Sequence, residues 1–354
     1  MRVVVVIVDS LRRDHLAAYG NTWLECANVS GLAERSVVFE NVRTDRPGCA
    51  SFRFELMTGL AASRLRDLAA AGALAAAEAT LPGLLREKGV FTGLVSDHRR
   101  AMEVYRPACD FDFVLYQPGQ GGDPMPDGPE RLATPFEGGA GREPIAPQFA
   151  PDRLWLERYF RNRAALAGAF DPTEKLFDLA SDAVVRLADR EDWLMVVDCH
   201  GLSQPWDPPE DFARYRPENQ LGKLAWLGPR AVRSDELDEG QLRFLRCAYA
   251  DSCLFFDHAL GGFLETVRGQ DDVRLWLVSD HGVMIGDDGF VGFDESMAND
   301  AVRELVLMAS GSQERDGRES GPVRPADLHA TLLALAGVES KWAVDGKVID
   351  PLVK

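Results

Sequence analysis

The feature that most constrains this chain is a pattern it repeats: a short apolar run that stops abruptly at polar residues. Val3 to Val8 stops at Asp9, Val90 to Val95 at Ser96-Asp97-His98, Trp193 to Val197 at Asp198-Cys199-His200, and Val273 to Val278 at Ser279-Asp280-His281. Such runs, rich in Val and Leu and closed by turn-forming groups, read as strands buried on both faces, the habit of parallel sheets. Ligands of open parallel sheets bind beyond the carboxyl ends of the strands. The pattern predicts an α/β fold in which Asp9 and the Asp280-His281 pair sit on one rim, as two halves of one metal site.

The intervening segments fit helices layered on that sheet. Helical patterns run over residues 29–35, 51–57, 81–88, 151–163, 171–190, 236–267 and 326–335, with further strands at 37–39 and 305–308. The Ala- and Leu-rich stretch 61–79 reads as helix or connector. Glycine and proline crowd residues 118–150, and prolines recur through 202–233, so both segments read as long loops inserted in a single domain spanning 1–354.

Charge narrows the function. The formal net charge is −17 with no basic run, which argues against a nucleic-acid groove. A pocket for a small anionic substrate must then supply its own positive charge, from a metal or from arginine. The six cysteines, at 26, 49, 109, 199, 247 and 253, show neither Cys-x-x-Cys spacing nor a dense disulfide framework. With no signal-peptide pattern and no bilayer-spanning apolar stretch, the expectation is a cytoplasmic protein with no membrane partner.

Two constellations carry chemistry. Asp9, Asp280 and His281 offer carboxylate oxygens suited to Ca, Mg or Mn, with an imidazole that draws preference toward Mn or Zn. The plainer alternative is that each strand-end aspartate caps the helix that follows. The second constellation is Cys49, after Pro47-Gly48 and before a helical segment. A helix N-terminus lowers a thiol pKa and attracts anions, and Arg53 lies one turn on. The plainer alternative is a buried apolar cysteine with a surface arginine. His98, His200 and His281 fall just beyond strands, where acid–base groups belong. His258 and His329 lie within amphipathic helices, and His15 beside Asp14, so these three read as structural. Turn chemistry explains Gly286-Asp287-Asp288-Gly289 as well as metal binding does.

These residues resemble the motifs of a known family. Val8-Asp9-Ser10-Leu11-Arg12-Arg13-Asp14-His15 is similar to the first metal motif of the sulfatase branch of the alkaline phosphatase superfamily, which includes bacterial arylsulfatases and phosphonate monoester hydrolases. Cys49, Arg53, Leu56, Thr58 and Gly59 have the spacing of its nucleophile signature. Asp198 to Pro209, Asp280-His281-Gly282, and Asp327 to Gly337 with Asp345-Gly346 resemble later family segments in the same order.

The resemblance implies an alkaline phosphatase-like three-layer αβα sandwich around a mostly parallel sheet, with the C-terminal subdomain reduced or absent. It implies one divalent cation held by Asp9, Cys49, Asp280 and His281. Cys49, oxidised to formylglycine, would attack sulfur, with Arg53 steadying the nucleophile and its charge. His200 and His98 would contact the transferring group or the leaving oxygen. The implied activity is hydrolysis of sulfate esters; hydrolysis of phosphodiesters or phosphonate monoesters at the same site is the alternative. The chain departs from the family at Ser10 (second aspartate), Ser51 (proline of the maturation pattern), Phe52 (serine) and Phe293 (lysine). Those departures motivate two further readings: an inactive sulfatase-like protein that binds an anion or partner, and an unmodified Cys49 acting as metal ligand or thiolate.

Overall fold

The computed structural model describes residues 1–65, 79–106, 109–120, 123, 143–149, 153–165, 171–228, 230–297, 299–311 and 317–353. Its centre is an eight-stranded sheet of β1 (Arg2–Val8), β2 (Ser36–Phe39), β3 (Phe91–Ser96), β4 (Phe113–Tyr116), β5 (Trp193–Cys199), β6 (Arg274–Ser279), β7 (Leu307–Ser310) and β8 (Gly317–Glu319). The spatial order is β8-β2-β7-β6-β1-β5-β3-β4. Within it β7 alone runs antiparallel to its neighbours, β6 and β2.

The first strand shows why the sheet must be covered twice. Val4, Val6 and Val8 belong to one apolar core, while Val3, Val5 and Ile7 belong to another on the opposite face. Successive side chains of a strand point to opposite faces, so a strand apolar at every position needs a layer on each side. One layer is built by α1 (Ala27–Ala33), α6 (Pro172–Leu187) and α7 (Glu239–Arg268). The other is built by α2 (Cys49–Thr58), α3 (Leu81–Arg86), α4 (Arg99–Tyr105) and α8 (Pro325–Leu335). A further helix, α5 (Arg153–Ala165), packs Leu156 and Tyr159 against Leu224 and Trp226 in a separate cluster. The result is the mixed α/β sandwich expected from the sequence.

Two helix starts follow their local chemistry. Asp171 caps α6 by accepting from the Thr173 N–H, and Glu174 returns a bond to the Asp171 N–H. Asp238 and Gln241 do the same for α7.

Some expectations need correction. The segment 202–233 is not structureless: it carries short helical turns at Glu210–Phe212 and Glu218–Gln220 and strand pairs at Lys223–Leu224 and Val232–Arg233. Of the helix or connector expected over 61–79, the structure describes a 3₁₀ turn at Ala62–Arg64, and residues 66–78 lie outside the described residues. Most of the loop expected at 118–150 also lies outside them. The Gly286-Asp287-Asp288-Gly289 stretch makes a hairpin turn between strands Met284–Asp287 and Phe290–Gly292, with Asp288 and Gly289 at φ 47° and 79°. That is the geometry a two-residue hairpin loop demands. Asp287 pairs with Arg12 rather than joining the strand-end cluster.

Candidate metal and nucleophile site

Register brings the rim residues together. β1 lies between β5 and β6, and Val8 pairs with both Cys199 and Ser279. The residues that follow, Asp9 and Asp280, therefore leave the sheet at the same level on adjacent parallel strands. The Asp280 N–H donates to the Val8 carbonyl (3.3 Å), and the Asp9 N–H to the Cys199 carbonyl (2.9 Å). β3 lies beyond β5 and delivers His98 to the same rim. Gly282 lets the chain turn away beneath Ala301, whose carbonyl oxygen would lie 1.9 Å from any Cβ at that position.

Asp9, Asp280 and His281 form a triangle of donors within 4.8 Å of one another. His281 Nε2 is 3.3 Å from Asp9 Oδ1 and 3.8 Å from Asp280 Oδ1. Ligands on one cation with bonds of about 2.1–2.3 Å stand about 3–3.7 Å apart, so the His281–Asp9 edge matches a shared coordination shell and the His281–Asp280 edge is slightly wider. The ring orientation agrees. His281 Nδ1 lies 2.8 Å from the Gly282 carbonyl and donates to it, which turns Nε2 toward the two carboxylates. Burial pushes the Asp9 carboxyl up, but His281, His200 and His98 outweigh it and hold Asp9 well below the usual carboxylate range. The donor set fits a divalent cation, and Cys49 joins it through a second group with His98 and Asp280.

Ser10 ties the carboxylates together from a left-handed turn at φ 63°. Its hydroxyl donates to Asp9 Oδ1 (2.6 Å) and its N–H to Asp280 Oδ1 (3.4 Å).

Cys49 is the first residue of α2, as the sequence suggested, after Gly48 at φ 134°. The expected drop in thiol pKa is reversed. Burial pushes it well above its ordinary value, Arg53 opposes, and the charges of Asp280, Asp9 and Asp198 push it further. Burial, reinforced by those carboxylates, outweighs what one helix end can offer. The far end of α2 is pinned by Gly59 at φ 70°, where a Cβ would fall 2.6 Å from the His329 ring.

Arg53 also departs from expectation. It is fully buried and does not face the cleft. Its guanidinium makes two bonds to Asp198, one to Asp280 Oδ2 and one to the Cys49 carbonyl. Arg53 thus fixes the start of α2 to the ends of β5 and β6. Tyr105 completes the network by donating to Asp198 Oδ2 (2.8 Å). Asp198 and Tyr105 were missed as site residues. Asp198 had a signal in its place at a strand end, but Tyr105 lies in an ordinary amphipathic helix and had none.

The remaining histidines divide. His98 is buried with both ring nitrogens engaged: Nδ1 accepts from the Ala101 N–H (3.4 Å), and Nε2 donates to Asp9 Oδ2 (2.7 Å). It orients Asp9 rather than presenting a free nitrogen to a substrate. His200 is partly exposed, with Nδ1 3.6 Å from Asp9 Oδ2. Burial pulls it down, but the nearby Asp9 carboxylate and the charge of Asp97 win and raise it. Asp97, buried beside it, accepts from the His200 N–H and from Gln120 Nε2 (2.8 Å each), and burial pushes its carboxyl up to about 7. Phe293 stacks on His281 at 3.9 Å and 14° between planes. His15 bonds Asp14, and His329 Nδ1 lies 3.0 Å from the Leu56 carbonyl, both structural as read. Asp9, Cys49, His98, His200, His281 and Phe293 open onto one cleft of about 380 Å³, walled further out by Trp155 and Trp226.

An α/β sandwich with carboxylates, imidazoles and a helix-initiating cysteine gathered at its strand ends places the chain in the alkaline phosphatase superfamily. Within it the chain belongs to the sulfatase family, whose model, described as "Sulfatase", matches residues 2–338. It is similar to a choline-sulfatase of Rhizobium meliloti (strain 1021), 24% identical over a 392-residue alignment that covers 99% of this chain and 71% of that protein. It is also similar to an arylsulfatase of Clostridium perfringens (strain 13 / Type A), 25% identical over 322 residues, 80% of this chain and 63% of that one. In fold it resembles the crystal structure of the phosphonate monoester hydrolase of Agrobacterium radiobacter, with a TM-score of 0.70 at 17% identity over 99% of this chain and 77% of that one. Among the described residues no helix is long and apolar enough to cross a membrane.

Proposed function

We propose that this cleft hydrolyses sulfate esters with the help of one divalent cation. The observation that carries the reading is the convergence of Asp9, Asp280 and His281 beside residue 49 in a chain of the sulfatase family. Asp9, Asp280, His281 and Cys49 would hold the cation. A cation there would neutralise nonbridging oxygens of the ester and favour ionisation of the attacking group. Residue 49 attacks sulfur. A neutral thiol with a raised pKa is a weak nucleophile, so the residue acts either as formylglycine, through its hydrated aldehyde, or as a thiolate. His200, whose pKa Asp9 and Asp97 raise, would give a proton to the departing alcohol oxygen. His98 and Ser10 orient Asp9, and Arg53 orients Asp280 and the Cys49 backbone. The Phe293 ring packs against His281 and limits how that ligand can rotate.

The test is turnover of 4-nitrophenyl sulfate by protein stripped with a chelator and reloaded with Ca²⁺, Mg²⁺, Mn²⁺ or Zn²⁺, with Cys49→Ala as control. Intact mass reports whether the thiol has become an aldehyde. Metal-dependent sulfatase activity that vanishes in Cys49→Ala supports the reading. Turnover confined to phosphodiester or phosphonate esters transfers it to phosphorus. No turnover and no bound cation would leave an anion- or partner-binding relative without this chemistry.

A further inference from the structure

A sulfate ester carries a negative charge into a protein whose net charge is −17, so the cleft must hold fixed positive charge. Arg53 does not meet that need. A guanidinium has five N–H donors, and four of those of Arg53 are spent on Asp198, Asp280 and the Cys49 carbonyl. It also does not line the cleft. Two other arginines do, Arg99 and Arg100, at the start of α4 directly after His98. Arg99 is held by Glu103 one turn on, 3.1 Å away. Arg100 has no hydrogen bond or ion pair among the described residues, and its side chain is exposed at the mouth of the cleft shared with Asp9, Cys49 and His200. Phe293, at the position where the family carries a lysine, brings no charge of its own.

The geometry points to Arg100 as the side chain that binds the nonbridging oxygens of the ester's anionic group. This rests on the ester-hydrolase reading and adds to it. The second cationic contact comes from the helix after β3, not from the metal-motif loop, and a fork of paired donors suits a sulfuryl or phosphoryl face. Glu295, which also lines the cleft and packs over Gly48, repels an anion and so favours its approach to Arg100.

The test uses anions with no leaving group. Inorganic sulfate and phosphate are titrated calorimetrically into the Mn²⁺-loaded protein and into R100A, R100K and R99A, with thermal melts to check folding. Loss of charge-assisted hydrogen bonds predicts affinity for both anions weakened about 10- to 100-fold in R100A. R100K should recover part of the loss, and R99A should stay within about twofold of the parent. In turnover, R100A should lower kcat/KM by a similar factor for 4-nitrophenyl and for alkyl esters alike. Anion binding that survives R100A unchanged overturns the assignment, as does an R100A defect confined to esters with one kind of alcohol, which would put Arg100 on the leaving group. A parent protein that takes up neither anion is a different result: it sinks the ester-hydrolase reading itself.

Discussion

Replacing Arg53 by methionine is the sharpest perturbation this site offers. The substitution keeps a long side chain but removes the one cation that two fully buried carboxylates share. Among the described residues, Asp198 would retain the Tyr105 hydroxyl, and Asp280 the Ser10 N–H at 3.4 Å with His281 Nε2 3.8 Å away. Breaking a buried pair from one side costs about 3–5 kcal/mol, because the penalty is the stranded charge and not the lost attraction. Set against a total stability of about 5–15 kcal/mol, that is a large share. Equilibrium urea unfolding in the presence of a chelator, followed by fluorescence, measures it. The accompanying variants are Asp198→Asn and the double Arg53→Met/Asp198→Asn. Asp198→Asn in the Arg53→Met background removes one of the stranded charges, so the double should be more stable than the sum of its parts by about 2 kcal/mol. An Arg53→Met protein within about 1 kcal/mol of the parent, or strict additivity, would refute the claim that Arg53 is consumed in holding the rim together.

Two further outcomes follow from neighbouring groups. Tyr105→Phe removes one donor from buried Asp198 and should cost about 1–2 kcal/mol in the same unfolding experiment, with little effect in an Asp198→Asn background. His329 is buried against α2, and burial lowers its pKa from 6.5 to about 4, while its bond to the Leu56 carbonyl opposes. Between those values the unfolded chain holds the extra proton, so this contribution to stability is intact above pH 6.5 and falls as the pH drops toward 4. At about 1.4 kcal/mol per unit, the loss from pH 7.5 to 5 is about 2 kcal/mol; a His329→Gln variant should lack that slope, and an identical pH dependence in both proteins would contradict the assignment.

What the sequence revealed divides by the range of the interaction. Asp9, Asp280 and His281 were legible because strand ends are local events and parallel register carries them to one level. Cys49 was legible as a helix start for the same reason. Its ionisation was not, because burial decides it, reinforced by charges that arrive from Asp280, Asp9 and Asp198 at three separate strand ends. Arg53 was placed on the right helix beside Cys49, but its carboxylate partners were not legible; its bonds cross 145 residues to Asp198 and 227 to Asp280, and no spacing rule spans such gaps. The apolar run at 305–308 announced a strand but not its direction, since an interior strand is apolar whichever way it runs. Gly286-Asp287-Asp288-Gly289 was decided by local turn chemistry.

The left-handed backbone at Ser10 has a consequence for how this cleft can change over time. Aspartate and asparagine tolerate that conformation better than most residues, so an acidic side chain could enter at position 10 without disturbing the fold. One codon's worth of change would then add an oxygen donor at the rim and harden a mixed oxygen–nitrogen–sulfur shell toward calcium or magnesium. The preference of any ion held there would in that sense be adjustable at a single hinge of the chain, while the sheet beneath it stays as it is.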